Sequence, residues 1–145
     1  MTDRSIDILL VEDDPGDVVL AREALQEGEI KCELNVAEDG DAALAYLRRQ
    51  GDYADATRPD IILLDLNLPK RDGLEILAEI KEDAELRAIP VVVLTTSSYP
   101  EHVLSAYDLQ ASFYITKPTD LDQFIATMQQ IKEFSAGVAQ LPPRR

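Results

Sequence analysis

The chain has 145 residues, enough for one domain that closes a core without disulfides or structural metals. Apolar residues make up 46% and charged residues 29%, the usual mix of a folded globular domain. With 28 acidic against 14 basic side chains the net charge is −14, which excludes an extended basic surface for nucleic acid.

Ile6–Val11, with the apolar run Ile8-Leu9-Leu10-Val11, is a short stretch bounded by Glu12, Asp13 and Asp14, and reads as the first strand. Asp14-Pro15-Gly16-Asp17 then opens a helix: Asp14 can cap, Pro15 suits the first position, and Asp17 favours the positive end of the dipole. This helix is expected to reach about Gly28. Cys32–Val36 reads as a strand and Asp41–Gln50 as a helix with Ala42, Leu44, Ala45 and Leu47 inward. A polar loop from Gly51 to Arg58 precedes a third strand at Ile61–Leu64, and Asp72-Gly73 opens a helix with Leu74, Ile76, Leu77 and Ile80 at helical spacing. Pro90–Leu94 is a fourth strand, Ser98-Tyr99-Pro100-Glu101 has capping-box spacing for a helix to about Leu109, and Ser112–Thr116 is a fifth strand. Thr119 caps a last helix with Leu121, Phe124, Ile125, Met128 and Ile131 on one face. Residues 135–145 read as a tail after a domain over 1–134, with no output domain following.

Strands that are apolar almost throughout imply burial on both faces, hence a parallel sheet between helices. Five β/α units of this length predict a flavodoxin-like, doubly wound (βα)5 fold with strand order 2-1-3-4-5. The first and third strands then adjoin, and Glu12, Asp13, Asp65, Thr95 and Lys117 gather at the carboxyl ends of the sheet. Clustered carboxylates repel unless a cation neutralises them, and an all-oxygen donor set favours a hard ion such as Mg²⁺ or Mn²⁺. The expected ligands are Asp13 and Asp65 directly, Glu12 through water, and the backbone carbonyl of Asn67. Asp65 is the expected nucleophile toward phosphorus, with Lys117 and Thr95 reaching the phosphoryl oxygens.

Leu10-Val11-Glu12-Asp13-Asp14, Leu63-Leu64-Asp65-Leu66-Asn67-Leu68-Pro69, Asp72-Gly73, Pro90–Thr95 and Lys117-Pro118 together make the chain resemble the CheY-like receiver domains of two-component response regulators. The resemblance spans about Ile6 to Phe134. It implies that Asp65 accepts a phosphoryl group from a phosphohistidine on a sensor kinase, with Glu12 and Asp13 as the acidic metal pair. It further implies that Thr95 is a switch hydroxyl, Tyr114 a switch aromatic, and the Lys117–Pro118 bond cis. Asn67 and Thr96 flank the site and are expected to tune hydrolysis. Glu12 stands where the family often has aspartate. Within the family the chain is most similar to the small response regulators that partner bacterial and cyanobacterial phytochromes, on Asp65–Lys70, Leu94–Ser97, Phe113–Pro118 and the Gly51–Arg58 loop. That implies a phytochrome-type histidine kinase as phosphodonor and a homodimer through the helix from Ser98, the fifth strand and the last helix. Val138 and Leu141 in the tail are candidates to embrace a partner subunit.

Competing readings are weaker. A haloacid-dehalogenase-type phosphatase needs an acid two residues after the nucleophile, where Asn67 stands; a pseudo-receiver scaffold does not need the intact acidic, hydroxyl and lysine set. No glycine-rich nucleotide loop is present. The lone His102 reads as a surface residue and the lone Cys32 as a small strand residue in a reducing compartment. With no signal-peptide pattern and no long apolar run, the expected location is the cytoplasm and the expected role a signalling phosphoacceptor, which turns over only its own phosphoryl group.

Overall fold

The computed structural model describes residues 5–28, 30–69, 72–95, 113–118 and 120–139. Its strands are β1 (Ile6–Val11), β2 (Cys32–Ala37), β3 (Ile61–Leu64), β4 (Val91–Thr95) and β5 (Phe113–Thr116), all parallel in the order β2-β1-β3-β4-β5. The described α-helices are α1 (Pro15–Gln26), α2 (Gly40–Leu47), α3 (Gly73–Glu82) and α4 (Leu121–Ala139). The helix expected from Ser98 to about Leu109, with His102, lies outside the described residues.

Successive residues of a strand point to opposite faces, and here both faces are covered. Leu9, Val11, Ile62, Leu64, Val91 and Val93 pack in one layer with residues of α2 and α3. Ile8, Leu10, Ile61, Leu63, Val92 and Leu94 pack in the other with residues of α1 and α4. This explains the unbroken apolar runs Ile8–Val11 of β1, Ile61–Leu64 of β3 and Val91–Leu94 of β4. The edge strand β2 departs from the expectation. Glu33 and Asn35 are exposed and alternate with half-buried Cys32, Leu34 and Val36, because β2 lies at the end of the strand order, beyond β1.

Local chemistry sets the helix boundaries. Asp14 Oδ1 accepts from the amides of Gly16 (2.8 Å) and Asp17 (3.3 Å), capping α1. Asp72 and Glu75 form a capping box on α3. The α2 face differs from expectation by its phase: Ala43, Leu44 and Leu47 are buried, while Ala42 and Ala45 are only partly so. The polar loop after α2 contains one 3-10 turn, Gly51–Tyr53, whose Tyr53 ring meets Tyr46 edge to face at 5.5 Å.

The last helix runs through Ala139, into the segment read as a tail. Ser135 is buried and its Oγ donates to Ile131 O at 2.8 Å, satisfying the hydroxyl without breaking the helix. Leu121 does not join the core with Phe124, Met128 and Ile131; it is 54% exposed and lines a cavity beside Leu20 of α1. Leu141 lies outside the described residues. No described helix is long and apolar enough to cross a membrane.

α1 has no basic residue in its own last turn. Its C-terminal carbonyls are met from α4 instead. The fully buried Lys132 donates through Nζ to Leu25 O (2.6 Å) and to Glu27 O, and Gln129 Nε2 donates to Ala24 O (2.5 Å). A cation at a helix C-terminus opposes the negative end of the dipole and satisfies orphan acceptors.

Candidate functional site

Register alone assembles the site. Val11 of β1 pairs with Leu64 of β3, so Glu12 and Asp65, the next residues on each chain, leave the sheet side by side. Thr95 at the end of β4 pairs with Thr116 of β5, and Lys117 follows directly. Two backbone bonds carry the ladder one step further: Glu12 N–H donates to Ala37 O (3.0 Å) and Asp65 N–H to Val11 O (3.1 Å).

Behind Asp65, the β3–α3 loop is closed by Gly73, whose amide donates to Leu66 O at 3.1 Å. A Cβ on Gly73 would lie 2.5 Å from Leu66 Cα and 2.6 Å from Asp65 O. Only glycine allows α3 to start so near the backbone that carries Asp65. On the other side of the loop the Asn67 amide donates to Asp65 Oδ1 at 2.9 Å, fixing the carboxylate.

Glu12, Asp13 and Asp65 bring carboxylate oxygens within 4.8 Å of one another, with Glu12 and Asp65 buried and Asp13 exposed. Lys117 Nζ reaches into this cluster, donating to Glu12 Oε1 (2.6 Å), Asp17 Oδ2 (2.7 Å) and Asp65 Oδ2 (3.2 Å). Its side chain is only 8% exposed. Burial pushes Glu12 up to about 7, aided by the Asp65 charge and opposed by its bonds from Lys117 and the Asp14 amide. For Lys117, burial acts downward, but hydrogen bonds to Asp17 and Glu12 and the charges of Asp65 and Glu12 outweigh it, and the ammonium is held above its usual range. The donor set is all oxygen, open to solvent at Asp13 and short of positive charge, which fits a hard divalent cation.

The sequence therefore led to four of the groups that meet here, Glu12, Asp13, Asp65 and Lys117, and Asn67 follows in the same loop. It missed Asp17, which read only as a favourable charge in the first turn of α1. Side chains on a helix tilt toward its N-terminus, and that direction aims Asp17 back at the strand ends. Tyr114 is half-buried on β5 and packs against the α2/α3 layer. Thr95 closes β4; its side chain, like Thr96, lies outside the described residues. One expectation is corrected: no described peptide bond is cis, so Lys117–Pro118 is trans. For an X–Pro bond trans is the lower isomer by about 0.5–1 kcal/mol.

Residues 8–129 match the response regulator receiver domain family. The response regulator Rcp1 of Synechocystis sp. is 47% identical over 135 residues, which span 93% of this chain and 92% of Rcp1. Among solved structures, the phosphorylated cyanobacterial phytochrome response regulator RcpA superposes with a TM-score of 0.90 at 48% identity, covering 97% of this chain and all of that one. The Mn²⁺-bound form of Rcp1 gives 0.87 at 44% identity, covering 97% of this chain and 99% of that one. The order 2-1-3-4-5 of parallel strands, the acidic cluster beside a buried lysine, and these likenesses agree, and the chain belongs to the response regulator receiver domains.

Proposed function

We propose that Asp65 is the phosphoacceptor, charged by a phosphohistidine of a sensor histidine kinase in the presence of Mg²⁺ or Mn²⁺. The observation that carries this reading is the convergence of Glu12, Asp13 and Asp65 on one edge, with Lys117 Nζ 3.2 Å from Asp65 Oδ2. An Asp65 oxygen bonds to phosphorus as the phosphorus–nitrogen bond to histidine breaks, giving an acyl phosphate and freeing the imidazole. Glu12, Asp13, Asp65 and the Asn67 carbonyl would hold the cation. When bound, it supplies charge that offsets the transferred oxygens. Lys117 takes one phosphoryl oxygen and the Thr95 hydroxyl another. Thr95 and Tyr114 carry the change to the β4–β5 face, and Asn67 and Thr96 tune the later hydrolysis of the acyl phosphate. The product is a conformational state passed on by protein contact or phosphorelay, not a turned-over substrate.

A phytochrome-type kinase as donor is supported by the likeness to RcpA, itself a phytochrome response regulator. A docking surface for the donor is supported by Leu20 and Leu121, exposed at 38% and 54% and lining a cavity of about 250 Å³ that Asp17 and Lys117 also line. Homodimerisation through the β5 and α4 side is supported by an apolar cavity of about 190 Å³ lined by Val92, Ile115, Ile131 and Phe134, and is read out by sedimentation with and without phosphorylation. The charge of −14 supports protein partners over nucleic acid, and the free Cys32 supports a cytoplasmic setting.

Intact mass after incubation with acetyl phosphate and Mg²⁺ tests the reading. Wild type gains one phosphoryl group, and Asp65→Asn or a chelator abolishes the gain. A folded wild type that gains none with any small donor or kinase overturns it.

A further inference from the structure

An ammonium has three N–H donors, and all three on Lys117 have acceptors: Glu12, Asp17 and Asp65. Glu12 and Asp65 belong to the carboxylate cluster that suits a divalent cation, whereas Asp17 stands outside it. Lysine and cation thus compete for the same oxygens. A lysine drawn fully onto Glu12 and Asp65 would exclude the cation, and a bound cation would repel an untethered lysine. Asp17 is the one lysine partner that a cation in the cluster leaves alone.

We propose that Asp17 is a positioning residue that anchors Lys117 Nζ at the rim of the carboxylate cluster, so that lysine and divalent cation occupy the site together. The anchor is rigidly mounted. Asp17 sits in the first turn of α1, its amide and that of Gly16 are fixed by Asp14, and the far end of α1 is held by Lys132. A third of the Asp17 side chain is exposed, so its carboxylate stays solvated while it grips a lysine that is almost wholly buried. The proposal rests on the phosphoacceptor reading of this site and adds to it the device that lets two cations coexist there.

A double-mutant cycle separates this role from a mere charge at a helix N-terminus. Mn²⁺ affinity is read from the electron paramagnetic resonance of the free ion, on the full chain, with folding checked by circular dichroism. Asp17→Asn is expected to weaken Mn²⁺ binding about fivefold when Lys117 is present and less than about twofold in a Lys117→Met background. Asp17→Glu keeps most of the affinity. Independently, the Lys117 ammonium is expected to give a resolved nitrogen-15 signal in Mg²⁺-loaded wild type that disappears in Asp17→Asn; this arm decides if Lys117→Met does not fold. Equal losses in both backgrounds, no loss in either, or an unchanged lysine signal in Asp17→Asn overturns the proposal. Phosphorylation of wild type by acetyl phosphate is scored separately. Its failure alongside a positive cycle overturns the phosphoacceptor reading and leaves the lysine–cation device standing.

Discussion

At the residue scale the site is governed by one lysine among carboxylates. Removing one partner of a buried ion pair typically costs about 3–5 kcal/mol, because the remaining charge is stranded. Lys117→Met is expected to cost less, about 2 kcal/mol at neutral pH in chelator, since Glu12 is poised to take up a proton where it stands. Excess Mg²⁺ should recover much of that loss, as the cation replaces the missing charge. Urea unfolding midpoints with and without metal check both statements, and a loss that metal leaves untouched would mean the lysine is mainly a packing element. Asp65→Asn, in contrast, keeps the shape of the side chain and its loop bonds, so it should fold normally and lose only the phosphoryl adduct.

At the element scale the phosphoacceptor depends on how nearly α3 approaches β3. Gly73→Ala places a methyl 2.5 Å from Leu66 Cα, against backbone that cannot rotate away. The expected cost is about 2 kcal/mol, within the range for overpacking. A several-fold slower phosphorylation by acetyl phosphate should accompany it, because the shifted loop is the one that carries Asp65. The contact between α1 and α4 is a different matter. Lys132→Met leaves the carbonyls of Leu25 and Glu27 without their cationic donor, which should cost about 2 kcal/mol. This end of α1 is remote from the site, so Mn²⁺ affinity of the folded variant should equal that of wild type. Calorimetry and metal titration on the same sample separate the two effects.

At the scale of the whole molecule, an acidic chain exposes two large apolar side chains, Leu20 and Leu121, in the cavity beside Asp17 and Lys117. A protein donor can use such a patch, whereas acetyl phosphate has no need of it. Leu20→Glu, already 38% exposed and therefore cheap to replace, should slow transfer from a cognate histidine kinase at least about tenfold more than transfer from acetyl phosphate. Equal slowing with both donors would place the donor's footprint elsewhere.

How much of this was legible in advance follows from the range of each interaction. Apolar runs ending in Glu12, Asp65, Thr95 and Lys117 were sufficient for a parallel sheet with those groups on one edge, since strand length and periodicity are local properties. The phase of the α2 face, the exposure of Leu121 and the continuation of α4 through Ala139 were not, because they depend on what lies over each turn. Asp17 and Lys132 show the limit most clearly. Asp17 is 100 residues from Lys117, and Lys132 is 107 from Leu25, so neither pairing leaves a mark in any local window. By itself the sequence determined the fold, the acidic cluster and its lysine; only tertiary packing decided which carboxylates share that lysine, because a buried charge takes whatever partners the neighbouring elements bring to it.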